Sequence, residues 1–139
     1  MVVLASNIGT DVTAGQFDIM IPGGGMGVFT GGCAAEWNVS ASDQATVGAP
    51  YGGFLTYCQQ SLGYDATVSA YQSCVKNMCT KLFGASGRED LLSGCNWFAN
   101  WMYAADNPTF TYTEVQCPAE LTGGYRSTIN TTKATTLTP

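Results

Sequence analysis

Apolar positions recur along the chain with two different periods. Residues 1–8 (Met-Val-Val-Leu-Ala-Ser-Asn-Ile) are apolar and β-branched and predict a strand, closed by a turn at Gly9-Thr10-Asp11. Residues 16–21 predict a second short strand, with Asp18 and Met20 on one face and Phe17, Ile19 and Ile21 on the other. Pro22-Gly23-Gly24-Gly25 breaks it, and its glycines permit positive φ and close backbone approach. Residues 31–53 are mostly small and polar, Trp37 excepted, and predict surface loop. The period then changes. Val68, Tyr71, Val75, Met78 and Leu82 fall at helical spacing and predict a helix over 66–83, ended by Gly84-Ala85-Ser86-Gly87, with Arg88–Leu92 adding one more turn. Residues 95–105, with Trp97, Phe98, Trp101 and Tyr103, predict an aromatic strand or short helix before the Asn107-Pro108 turn. Thr109–Val115 alternates at strand period. Beyond Leu121 almost nothing is apolar, so the pattern implies one β-rich domain over 1–122 with a helical insertion, and a Gly/Ser/Thr-rich linker over 123–139.

One residue sits badly in this pattern. Asp18 lies among Phe17, Ile19 and Met20, and a carboxylate in a dry apolar setting must be paired, solvated or protonated. Composition narrows what it could do. The chain has no histidine, which removes the commonest general base and metal ligand and leaves carboxylates as the acid–base chemistry near neutral pH. No metal or other cofactor is expected. A net charge of −5 with only five Lys and Arg offers no basic patch for nucleic acid. No apolar run reaches membrane-spanning length, so no membrane partner is expected either. Cysteines at 33, 58, 74, 79, 95 and 117, with no CxxC pair, suit a disulfide framework in a secreted protein. The sequons Asn38-Val39-Ser40 and Asn130-Thr131-Thr132 agree with secretion. Met1–Ala5 is too short for a signal peptide and lacks a basic start, so the chain is expected to begin part-way through a longer one.

Five blocks in order carry a resemblance: Gln16–Phe29 (Gln-Phe-Asp-Ile-Met-Ile-Pro-Gly-Gly-Gly-Met-Gly-Val-Phe), Tyr51-Gly52-Gly53, Gly94-Cys95-Asn96-Trp97, Ala105-Asp106-Asn107-Pro108 and Val115–Leu121 (Val-Gln-Cys-Pro-Ala-Glu-Leu). The sequence resembles the C-terminal part of the catalytic domain of glycoside hydrolase family 45 endoglucanases. That resemblance implies a mainly β fold, a six-stranded double-psi β-barrel with long disulfide-linked loops, here lacking its N-terminal segment. It implies a secreted cellulase that hydrolyses internal β-1,4-glucosidic bonds of cellulose or a related β-1,4-glucan with inversion. Asp18 matches the general acid and Asp11 an auxiliary aspartate. The Thr-rich tail is similar to linkers that lead to a cellulose-binding module. The family's general base lies in a Tyr-Trp-Asp-Cys-Cys-like motif that has no counterpart here, and position 30 is Thr where many members place another acid. Inversion needs a water between carboxyls about 6.5–9.5 Å apart, one on each face of the sugar. One carboxylate cannot serve both faces, so the chain alone is expected to show little or no hydrolysis. The rival reading is a non-hydrolytic, expansin-like glucan-binding or wall-loosening protein, a class that shares the barrel and acid motif without the base.

For Asp18 to hold a proton near neutrality its pKa must be raised, and Phe17, Ile19 and Met20 would supply the desolvation. Gly23, Gly24 and Gly25 are read as backbone geometry that could also line a groove floor. Trp37, in a polar loop, is the better sugar-stacking candidate, whereas Trp97 and Trp101 at helical spacing beside Cys95 are read as core. Glu36, Asp106 and Glu114 are read as surface or turn residues. By the resemblance, Cys58 pairs with Cys95, and Cys33 and Cys117 would bond to cysteines of the absent segment. Cys74 and Cys79 are additional. In a continuous helix they differ by about 7.5 Å in rise and face differently. Either that helix breaks, or the pairs are Cys58–Cys74 and Cys79–Cys95.

Overall fold

The computed structural model describes residues 1–5, 10, 12–27, 31–85 and 87–122. The chain divides into two compact units, Ile19–Thr109 and the pairing of Met1–Asp18 with Phe110–Pro139. The helices in order are α1 (Gly31–Glu36), α2 (Gln44–Val47), α3 (Gly53–Leu62), α4 (Val68–Phe83), α5 (Glu89–Asn100) and α6 (Ala119–Thr122).

The Ile19–Thr109 unit is built on α3, α4 and α5, with α4 packed against both others. Thr67 opens α4: its backbone is extended and its side chain accepts the Ala70 N–H. Val75, Met78, Cys79, Leu82 and Phe83 then follow at i, i+3, i+4, i+7 and i+8, one apolar stripe that is fully buried. α3 contributes Phe54, Leu55 and Cys58, and ends where Gly63 at φ +92° returns its N–H to the Gln59 carbonyl. α5 begins with Glu89 and Asp90 in the turn where the helix dipole favours negative charge. The Glu89 carboxylate is held below its ordinary range by backbone N–H donors, its own and that of Gly87. Cys95, Phe98 and Ala99 complete the core, in which the Phe54 and Phe83 rings lie 6.0 Å apart.

Two disulfides join these helices. Cys58–Cys74 ties α3 to α4 and Cys79–Cys95 ties α4 to α5, with Cα separations of 5.9 and 5.8 Å. The Cys58–Cys95 pairing implied by the resemblance is not formed: α4 runs unbroken through Cys74 and Cys79, which point to opposite neighbours. Cys33 and Cys117 are free thiols.

The mainly β, double-psi barrel expectation is overturned. Among the described residues there is no sheet, only an isolated antiparallel bridge between Ala49 and Gly53. The described parts of 1–8, 16–21 and 109–115 are not strands. Alternation gives a segment two faces, but a strand also needs a neighbour to receive its N–H and C=O groups, and these segments have none. The expected loop over 31–53 is corrected too. It holds α1 and α2, and buries Ala34, Val47 and Ala49. The aromatic stretch from Cys95 continues α5 rather than starting a new element. The 123–139 linker lies outside the described residues, and among those described no helix is long and apolar enough to cross a membrane.

In the second unit, Phe17 packs against Phe110 at 5.7 Å and edge-on against Tyr112 at 4.9 Å. The three rings remain exposed.

Each disulfide closes a separation of 16 residues. Replacing Cys79 and Cys95 together by Ser should cost about 3 kcal/mol of unfolding free energy. Thermal unfolding followed by circular dichroism should drop by more than about 10 °C.

Candidate functional site

Three of the five sequence blocks meet around the N-terminus of α3. The Pro22–Gly25 turn is closed by the Gly24 N–H on the Ile21 carbonyl, 2.8 Å. Its Gly23 carbonyl accepts the Phe54 N–H at 2.8 Å, and beyond the turn Gly27 donates to the Pro50 carbonyl at 2.8 Å. Ala49 donates to the Gly53 carbonyl at 2.9 Å, folding the Tyr51-Gly52-Gly53 block back on itself. The third block enters through Gly94, where an added Cβ would lie 3.0 Å from the Pro22 ring.

This approach decides what the glycines do. Gly53 has φ +54°, and a Cβ there would collide with the Gly23 carbonyl. Gly23 has φ +88°, and its Cβ would sit 2.5 Å from the Phe54 ring. Gly25 is crowded in the same way by the Pro50 carbonyl at 2.5 Å. Gly24 is exposed. Gly23 and Gly25 are therefore required by packing.

The predicted acid, Asp18, lies in the other unit and is exposed. Phe17 turns to Phe110 and Tyr112, and Met20 is 98% exposed, so the apolar enclosure expected for Asp18 is not formed. The auxiliary candidate Asp11, with Thr30, lies outside the described residues. Every described carboxylate is exposed, including Glu36, Glu114 and Asp106, which accepts a hydrogen bond from Asn107 Nδ2 at 2.8 Å. Among the described residues no three His, Cys, Asp or Glu side chains cluster as metal ligands would.

Trp37 and Trp101 exchange the places expected of them, whereas Trp97 packs on the core as expected. Trp37 is half-buried: its ring stands edge-on to Phe83 at 5.1 Å, and its carbonyl accepts from Arg88 Nη2 at 3.0 Å. Arg88 also donates Nη1 to the Leu82 carbonyl at 2.7 Å, so one guanidinium fastens the Trp37 backbone to the end of α4. Trp97 and Trp101 are stacked at 5.1 Å with planes 15° apart; Trp97 packs on the core, whereas Trp101 is 61% exposed. The i, i+4 spacing that suggested two core residues fits equally a ridge with one buried and one exposed member. Among the sequons, Asn38 is exposed at φ +52° just after α1, and Asn130 lies outside the described residues.

The profile of glycosyl hydrolase family 45 matches residues 1–125. The chain belongs to that family. It is 55% identical over 133 residues to Endoglucanase B of Cellvibrio japonicus, a match covering 94% of this chain and 25% of that protein. An endoglucanase of Cryptopygus antarcticus is 33% identical over 88% of the chain and 42% of its own length. A putative endoglucanase type K of Fusarium oxysporum is 36% identical over 87% and 24%. The chain thus spans between about a quarter and two-fifths of these relatives. No solved structure matches it.

The crowding at Gly53 gives a graded expectation for alanine. Gly53→Ala, forced against a carbonyl at positive φ, should cost at least about 2 kcal/mol. Gly27→Ala, also at positive φ but with no atom within 4 Å, should cost only about 1 kcal/mol. Urea unfolding midpoints of the two variants check the order.

Proposed function

We propose that the chain is the acid-bearing part of a secreted endo-β-1,4-glucanase acting on cellulose or a related β-1,4-glucan with inversion. The observation that carries this reading is the family match over residues 1–125, which contains Asp18. The names of the relatives, endoglucanases in each case, support the substrate class. Two disulfides support an oxidising, extracellular compartment.

In this reading Asp18 protonates the glycosidic oxygen as the bond to the anomeric carbon breaks. A second carboxylate on the opposite face removes a proton from the attacking water. Exposure leaves the Asp18 carboxyl open to a substrate oxygen, and bound glucan would supply the desolvation that its neighbours do not. Asp11, in the segment before Asp18, is proposed as an auxiliary group. No residue of the chain matches the family's base, so the 139-residue chain by itself should not turn over glucan.

Two measurements check this. The isolated chain should release no reducing ends from carboxymethylcellulose; turnover abolished by Asp18→Asn would contradict its inactivity. In whichever length of chain is active, Asp18→Asn should lower kcat on β-glucan by at least about 100-fold. It should do so far less on a dinitrophenyl cellooligosaccharide, whose leaving group needs no proton. Equal losses on both substrates would rule out the acid role. Glucan binding without any release of reducing ends, in every length of chain, would favour the expansin-like alternative.

A further inference from the structure

The C-terminal end of α5 holds an aromatic pair of which only one member packs on the core. Trp97 lies against the core cluster, and Trp101 stacks on it nearly parallel. One face of Trp101 is therefore turned to Trp97, and its 61% exposure falls on the opposite face and the edges. A single exposed apolar side chain is ordinary; Trp101 is set apart because its ring is held flat against a second indole. The backbone fixes this arrangement. Tyr103 and Ala104 take left-handed conformations at φ +57° and +48°, and Ala104 returns its N–H to the Phe98 carbonyl at 3.1 Å. That reversal buries Ala104 and leaves Tyr103, two residues after Trp101, exposed.

The surroundings indicate the ligand. From Leu91 to Ala105 there is no charged side chain, in a chain whose net charge is −5. Asn100 (exposed) directly precedes Trp101, and Asn96 (half-buried) lies one turn earlier, beside Trp97. A flat indole in an uncharged stretch, with the neutral amide of Asn100 preceding it, suits a neutral ligand with one apolar ring face and a rim of hydroxyls. A pyranose ring of a β-1,4-glucan has that form. Because Trp97 already braces Trp101, little side-chain freedom remains to be lost on binding.

We infer that Trp101, braced by Trp97, is an accessory stacking platform for a β-1,4-glucan chain, with Asn100 placed to meet sugar hydroxyls. The choice of ligand rests on the glucanase reading above; the platform itself lies wholly within the Ile19–Thr109 unit, whereas Asp18 belongs to the other unit.

The experiment is native affinity electrophoresis of the chain in gels containing hydroxyethylcellulose, paired with titration of its tryptophan fluorescence by cellohexaose. The parent chain should be retarded by the gel and should bind cellohexaose. Trp101→Ala should weaken both readouts by about tenfold, a typical consequence of truncating a central aromatic anchor. Trp101→Tyr, which keeps a flat ring, should retain most of the binding, and both variants should melt within a few degrees of the parent. Retardation of Trp101→Ala equal to the parent's would overturn the inference. So would a parent chain that the gel does not retard, or a Trp101→Ala variant whose only change is in self-association during sedimentation. The glucanase reading is judged separately by Asp18-dependent release of reducing ends, so either proposal can fail while the other stands.

Discussion

At the start of α3 two stretches of backbone pass so closely that no side chain fits between them. The Gly23 carbonyl takes the Phe54 N–H, and the space a Cβ would need at Gly53 is filled by that same carbonyl. Everything else in the Ile19–Thr109 unit follows from holding α3 in this position. With its first turn fixed, Phe54 is delivered into the core against Phe83, and Cys58 falls opposite Cys74. α4 is thereby set, and its second cysteine sets α5. A protein interior is packed densely enough that a displacement at one contact is passed on rather than absorbed. Three stretches far apart in sequence, around residues 23, 53 and 94, are thus one structural requirement.

Polar groups are distributed in a way that separates structure from chemistry. Among the described residues no polar or charged side chain is buried, and the core is held by aromatic and aliphatic contacts with two disulfides. Long-range polar fastenings are made to backbone carbonyls: Arg88 to Leu82 and Trp37, Gln72 to Ala99, Lys81 to Ala45. The described carboxylates, Asp18 included, are exposed, and those that accept hydrogen bonds do so from residues within three positions in sequence. Removing the Asp18 charge therefore leaves the core untouched.

What could be read from the residues depended on whether the signal was local. α4 was legible, because five apolar residues at helical spacing define a stripe without reference to anything else. The same signal was present in α3, where Phe54, Leu55, Cys58 and Leu62 share a face, but Gly52-Gly53 reads as a loop unless one knows that another backbone occupies the missing volume. The expected strands failed for the opposite reason. Thr109–Val115 alternates correctly, yet pairing is a property of two segments and no single segment encodes it. Helix rise left two arrangements open for Cys74 and Cys79; helix continuity selects one. Asp18 was singled out as an odd charge and given its role only by resemblance to a family. Its exposure, like that of Trp101, depends on where neighbouring rings turn, which sequence spacing does not specify.

The spacing of the two disulfides also bears on the order of events during synthesis. Both join cysteines 16 residues apart, on helices adjacent along the chain, so neither requires a distant segment to arrive. Contacts that close small loops form early and at low entropic cost. Once Cys95 has been added to the chain, both partners of each pair are present, before Cys117 has been made. The helical unit can thus be locked covalently while the chain is still growing. Four of the six thiols are thus withdrawn from exchange early.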